Sequence, residues 1–254
     1  MHRPVRPVRS VRPVLVVVAH GSRDPRHAAT MHALVRRVRS LRPGLRVETG
    51  FLDFNVPSVT GVLESLAAEG VRDVIALPLL LTRAFHAKAD IPAVLAQAPP
   101  RLRIRQAEVL GPSPLLLAAL ERRLYEAGLT PADKPSTGVV LASAGSTDPE
   151  AIAVIASIAR EWRHTGWCAV RPAFASASLP RTEQAVRELH ALGCARVAVA
   201  PYVLAPGFLP DRIARGAAEA NVLADVLGPA PEVARLLLER YDEARLPALA
   251  AVGA

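Results

Sequence analysis

Two stretches of this chain carry nearly the same message. VVVAHGSRDP at 16–25 returns as VVLASAGSTDP at 139–149, with Gly21, Ser22, Asp24 and Pro25 matched by Gly145, Ser146, Asp148 and Pro149. At a fixed offset of 123, Phe51, Pro57, Gly70, Pro78 and Phe85 fall on Phe174, Pro180, Gly193, Pro201 and Phe208. VLGPSP at 109–114 comes back as VLGPAP at 226–231. So many matches in one order mean an internal duplication, and the chain must fold as two similar units. The expected division is a basic tail over 1–13, a first lobe over 14–129, a polar proline-containing linker over 130–137, and a second lobe over 138–247.

Within each copy strands and helices alternate. The run Val14–Ala19 is apolar throughout, as a strand covered on both faces requires. Met31, Leu34, Val35, Val38 and Leu41 then fall at helical spacing. Leu45–Phe54, Val71–Leu81 and Leu102–Val109 read as further strands. Helices open at Pro57-Ser58, with Val59, Val62, Leu63 and Leu66 inward, and at Pro114, which runs to Ala127. This alternation predicts an α/β fold in which each lobe is a four-stranded parallel sheet flanked by helices, with the cleft between lobes as the working surface.

The net charge of +8 is concentrated at the start. Arg3, Arg6, Arg9 and Arg12 lie in thirteen residues without an acid, which leaves about +4 for the body. The tail reads as extended or disordered and solvated, and nucleic-acid binding through it is the weaker reading. No apolar run is long enough to span a bilayer. Cys168 and Cys194 lie far apart and match no metal or redox spacing, which suits a reduced, cytoplasmic setting.

What the second copy lost points to chemistry. His20 corresponds to Ala144, Arg23 to Thr147, Asp53 to Ser176 and His86 to Leu209. Scaffold positions survive in both copies, while candidate reactive side chains stand in the first alone. His20 follows strand one, Asp53 ends strand two and His86 follows strand three, the carboxyl edge of an open sheet where ligands bind. Taken singly, each has a structural explanation as a cap, turn or surface residue. Together they form two imidazoles and a carboxylate, able to ligate a divalent metal or take up protons near neutral pH. His27, His32, His164 and His190 fall within helical patterns and read as packed or exposed. Ser22 is no nucleophile, since AHGSR is not G-x-S-x-G. It reads as the cap of the following helix, and the amides of this turn could hold an anion.

AHGSRDP, FLDFNVPS, ALPLLLTRAFHAKADIPAVL and VLGPSP together resemble the CbiX/SirB-type sirohydrochlorin chelatases, relatives of ferrochelatase and the anaerobic cobalt chelatases. The resemblance runs from Val14 to about Tyr241 and includes the long form, in which a degenerate second lobe replaces a partner subunit. It implies chelatase-like lobes of flavodoxin-type three-layer build and a monomer. It also implies ATP-independent insertion of Fe²⁺ or Co²⁺ into sirohydrochlorin, for sirohaem or cobalamin synthesis. The metal, with Ni²⁺ chemically admissible, is then a substrate, and no cofactor is permanently bound. By the family pattern His20 and His86 receive the metal and help remove pyrrole protons, and position 53 contributes a third group. The family commonly has glutamate there. Asp53 is shorter by one methylene, so direct ligation, a water bridge and proton acceptance all stay open. Sirohydrochlorin is a polycarboxylate, and Ser22, Arg23, Arg83 and Lys88 are the expected substrate contacts. The competing reading is a non-catalytic tetrapyrrole or metal carrier on the same scaffold.

Overall fold

The computed structural model describes residues 12–83 and 89–246. The arginine-rich tail through Val11, together with His86 and Lys88, lies outside the described residues. The first half contains β1 (Val14–Ala19), α1 (Pro25–Leu41), β2 (Val47–Phe51), α2 (Val59–Ala68), β3 (Asp73–Pro78), α3 (Ile91–Ala96), β4 (Arg103–Gln106) and α4 (Pro114–Glu126). A 3-10 turn at Pro131–Ser136 leads to β5 (Thr137–Ser143), α5 (Pro149–Arg163), β6 (Ala169–Phe174), α6 (Thr182–Ala191), β7 (Arg196–Tyr202), α7 (Phe208–Gly216), β8 (Val222–Leu223) and α8 (Pro231–Arg245). Two four-stranded parallel sheets result, ordered β2-β1-β3-β4 and β6-β5-β7-β8. The expected fold class is the observed one.

Period-two alternation sorts each strand between two cores. Leu15, Val17 and Ala19 of β1 face a large core that also takes Val139 and Leu141 of β5. Val14, Val16 and Val18 face the opposite way, against Val59, Leu63 and Leu66 of α2. On the second sheet Val140 and Ala142 face Ala185, Val186 and Leu189 of α6. The inner faces of both sheets thus share one middle layer, made of α1, α4, α5 and α8. Leu41 alone of the predicted α1 stripe is left substantially exposed.

The middle layer is interlocked across the repeat. The last helix of the first half, α4, packs on α8 and on β7 of the second sheet. The last helix of the second half, α8, packs on α1, α4 and β3 of the first. Polar ties follow the same paths. Arg42 pairs with Asp242 at 2.7 Å, Arg122 with Glu232 at 3.0 Å, and Tyr241 Oη donates to the carbonyl of Pro13 at 2.8 Å. Glu121 of α4 accepts from the indoles of Trp162 and Trp167 at 3.3 Å each and from Lys134 Nζ at 2.6 Å.

The cysteines, remote in sequence, meet in space. Their sulfurs are 3.7 Å apart, with Cys168 exposed and Cys194 buried. Cys194 reaches across the face of Gly138, where a Cβ would come within 2.7 Å of its Sγ. Burial, and then Cys168, pushes the Cys194 thiol up to about 11.

Candidate active site

The turn after β1 is fastened to the turn after β2. Leu52 N–H donates to the carbonyl of Ala19 at 2.9 Å, and Asp53 N–H to that of His20 at 3.0 Å. Ser22 N–H donates to Asn55 Oδ1 at 2.8 Å. Gly21 makes the close approach possible: its φ is +93°, and a Cβ there would lie 1.9 Å from the carbonyl oxygen of Asp53. Asp24 is the N-cap of α1, accepting from Arg26 N–H at 2.9 Å, with Pro25 at the first helical position. The expected cap, Ser22, instead accepts from Asp24 N–H at 3.1 Å and closes the turn one step earlier. A two-residue turn precedes the helix, and the carboxylate that reaches its first free amides is the one two residues on.

His20 opens onto a cavity of about 310 Å³ between the two sheets. Its first-half walls are His20, His27 and Met31 with the segment after β3, Leu79 to Thr82. The second half supplies Ala144, Ala151, Ile155, Tyr202 and Leu209 among others. The walls are mainly apolar, so an imidazole here works at low dielectric. The Tyr202 hydroxyl is buried without a hydrogen-bond partner among the described residues, and burial keeps it protonated well above its usual range.

The Phe54 ring makes two contacts beside His20. Phe54 lies nearly parallel to the His20 ring, at 6.4 Å between centroids and 21° between planes. The Arg23 guanidinium sits 5.1 Å from the centre of the Phe54 ring, a cation–π contact. Phe54 is half exposed and holds φ at +60°, left-handed backbone that a bulky side chain rarely adopts. The Asp53 carboxylate accepts from Phe54 N–H at 2.8 Å and is exposed, outside the cavity wall. Arg26 bridges from Asp24 to Asp211 of α7 at 2.6 Å, closing the two halves beside this rim.

Arg83, a further predicted contact, lies outside this cavity wall, and Lys88 lies outside the described residues. Arg83 is exposed, engaged by both carboxylate oxygens of Glu108 at 2.7 Å, and borders a separate cleft with Arg240. It is not in the wall that holds His20, because the ion pair draws it toward the end of β4. Among the described residues no three His, Cys, Asp or Glu side chains gather closely enough to hold a metal ion.

His27 was missed by periodicity. It is half buried in the first turn of α1 and lines the cavity beside His20. Burial, and after it the charge of His20, holds its imidazole below the ordinary histidine range against the pull of Asp24. A clue was present in the sequence: the second-half counterpart of His27 is Ala151, just as that of His20 is Ala144.

This geometry has relatives. A CbiX family model matches residues 14–127 and again residues 138–244. The sirohydrochlorin cobaltochelatase of Priestia megaterium is 29% identical over 244 residues, covering 90% of this chain and 79% of that protein. The sirohydrochlorin ferrochelatase of Bacillus subtilis is 26% identical over 245 residues, covering 92% of each. A shorter cobaltochelatase from Sulfurisphaera tokodaii is 34% identical over 115 residues, 44% of this chain and 91% of its own length. Among solved structures, SirB from Bacillus subtilis with Fe³⁺ superposes with a TM-score of 0.78 at 24% identity, over 92% of this chain and 96% of that one. With the family pattern matched in both halves, and the overall fold matched in space, the chain belongs to the CbiX family.

Proposed function

We propose that this chain is a sirohydrochlorin chelatase, an ATP-independent lyase that inserts Fe²⁺ or Co²⁺ into sirohydrochlorin for sirohaem or cobalamin synthesis. Metal and macrocycle are both substrates, and no resident cofactor takes part. The observation that carries the reading is His20, fixed by a double-fastened turn at the lip of an apolar cavity. The opposite wall is built by its own repeat, where Ala144 and Leu209 carry no chemistry. The site is therefore complete within one chain, working as a cytoplasmic monomer that requires neither nucleic acid nor membrane.

Insertion demands three things: removal of water from the ion, loss of two pyrrole protons, and ring nitrogens turned toward the metal. A small, open set of protein ligands suits the first, since a closed four-ligand cage would keep the ion. His20 takes the cation through a ring nitrogen and accepts a proton as the metal leaves. His86 joins it: in the repeat its counterpart is Leu209, a residue of the cavity wall. Asp53, exposed at the rim and one hydrogen bond from the His20 backbone, acts through water or as a proton acceptor. The cavity lies at the small end of ligand pockets, roughly 300–1,000 Å³. It accepts an apolar ring face and leaves the charged periphery at the mouth. There Arg23 on its Phe54 platform and the amides around Ser22 meet carboxylates, with Lys88 a further contact.

The test is an anaerobic assay with purified protein, sirohydrochlorin and Co²⁺ or Fe²⁺, followed by visible absorption. Wild type accelerates insertion, and His20→Ala lowers kcat by about 100-fold or more, the range of a lost acid–base group. Tight macrocycle binding with no acceleration would make the protein a carrier and sink the proposal.

A further inference from the structure

We infer that His27 is a second imidazole ligand for the incoming divalent cation, holding it together with His20 in the cavity before the macrocycle takes it over. The inference rests on the reading of His20 as the metal-receiving group and adds a residue to it.

Four observations meet at this side chain. His27 and His20 line the same cavity, on one side of it, from consecutive elements of the chain. Nδ1 of His27 is shut off from solvent and has no hydrogen-bond partner among the described residues, which leaves Nε2 as the nitrogen able to meet a cation in the cavity. A histidine kept for packing normally satisfies a buried nitrogen, because leaving it unpaired is costly. The backbone beneath it is fixed: Asp24 caps the helix, Pro25 sets its first turn, and Arg26 is bridged to Asp24 and Asp211. Such a base holds a ligand in place without help from the metal. The fourth observation comes from the repeat. Ala144 and Ala151 occupy the corresponding places on the opposite wall, so both histidines of this wall face alanines. The next position one turn on, Met31, keeps an apolar counterpart in Ile155, both lining the cavity. On this wall the second copy replaces both imidazoles by alanine and keeps the hydrophobic contact beside them, while the exposed His32, outside the cavity, becomes Ala156 as well.

Two neutral imidazoles suit Fe²⁺ and Co²⁺ and bind them more weakly than a closed cage, which a delivered ion needs. His20 and His27 then share the task of stripping water from the cation before ring nitrogens replace them.

The experiment titrates the full chain with Co²⁺ alone at pH 7.5 by calorimetry, for wild type, His20→Ala, His27→Ala and His27→Phe. Insertion rates follow, with Co²⁺ and sirohydrochlorin varied separately. Expected for His27→Ala is a Co²⁺ affinity lower by roughly tenfold or more, the scale at which a lost supporting group costs a metal site. The KM for Co²⁺ rises by a similar factor and that for sirohydrochlorin stays put. Because the repeat already carries alanine at this place, the variant should fold, and circular dichroism melting checks it. His27→Phe keeps the ring volume, so it shows the same metal defect if ligation is lost and none if packing is the role. A folded His27→Ala with wild-type Co²⁺ affinity and KM overturns the inference, as does a rise confined to the KM for sirohydrochlorin. If wild type itself takes up no Co²⁺ and inserts none, the reading of His20 fails. If wild type does both and His27→Ala matches it, the inference about His27 alone fails.

Discussion

Gly21 carries a constraint that no other residue type meets. Its φ of +93° is left-handed, and the carbonyl of Asp53 fills the space a side chain would need, 1.9 Å from an ideal Cβ. Gly145 repeats both facts, with φ +94° and Ser176 O at 1.9 Å. Gly21→Ala should cost at least ~2 kcal/mol of stability, read from the urea midpoint, and should also displace His20 and reduce insertion. Gly145→Ala should lose comparable stability, yet keep much more activity per folded molecule, since the residue before it is Ala144 and no imidazole is displaced. Equal activity losses would mean the turns act through the fold alone. At this scale the sequence was legible where a residue breaks a pattern. His20 interrupts an apolar strand, and its loss in the repeat marks it. His27 sits inside a helical period, and periodicity alone does not distinguish a residue facing a cavity from one facing solvent; its alanine counterpart in the repeat was the one hint. Phe54 was equally hidden, because its stacking depends on a left-handed backbone that neighbouring residues impose.

Alternating strands and helices could be read directly, since a strand covered on both faces has to be apolar almost throughout. Their ends were less visible. Leu45–Phe54 reads as strand, but β2 stops at Phe51, where the chain bends to fasten onto the first turn. Which sheet a helix covers was not legible at all: an apolar stripe shows that a helix has an inner face and is silent about its partner. The α4–α8 contact illustrates this. Burial alone would raise the Glu232 carboxyl pKa, but hydrogen bonds and charge from Arg122 more than offset it and leave the group below the ordinary glutamate value. A carboxyl lowered on folding adds stability above its unfolded pKa and loses it as pH falls through the folded one. Glu232→Gln should therefore cost about 1 kcal/mol near pH 7, where the pair is charged. The difference in melting temperature from wild type should shrink as pH is brought below about 4.3, the ordinary glutamate pKa. A pH-independent difference would show that the ion pair contributes nothing.

For the whole molecule, the repeat predicts two similar units and is correct about their strands. It is silent about the single core they share. Unfolding followed by backbone dichroism and by the fluorescence of Trp162 and Trp167, both in the second half, should give one coincident transition. Separate midpoints would mean the halves stand alone.

The exchange of α4 and α8 has a consequence for a severed chain. Cut between Gly128 and Pro131, each fragment lacks one of the inner helices that cover its own sheet, α8 for the first and α4 for the second, so each should be insoluble or poorly ordered by itself. Produced together in one cell, the two polypeptides should find each other, co-purify as a one-to-one pair and regain metal insertion. A covalent backbone at that point would then be a convenience of synthesis, with the architecture remembering two separate molecules.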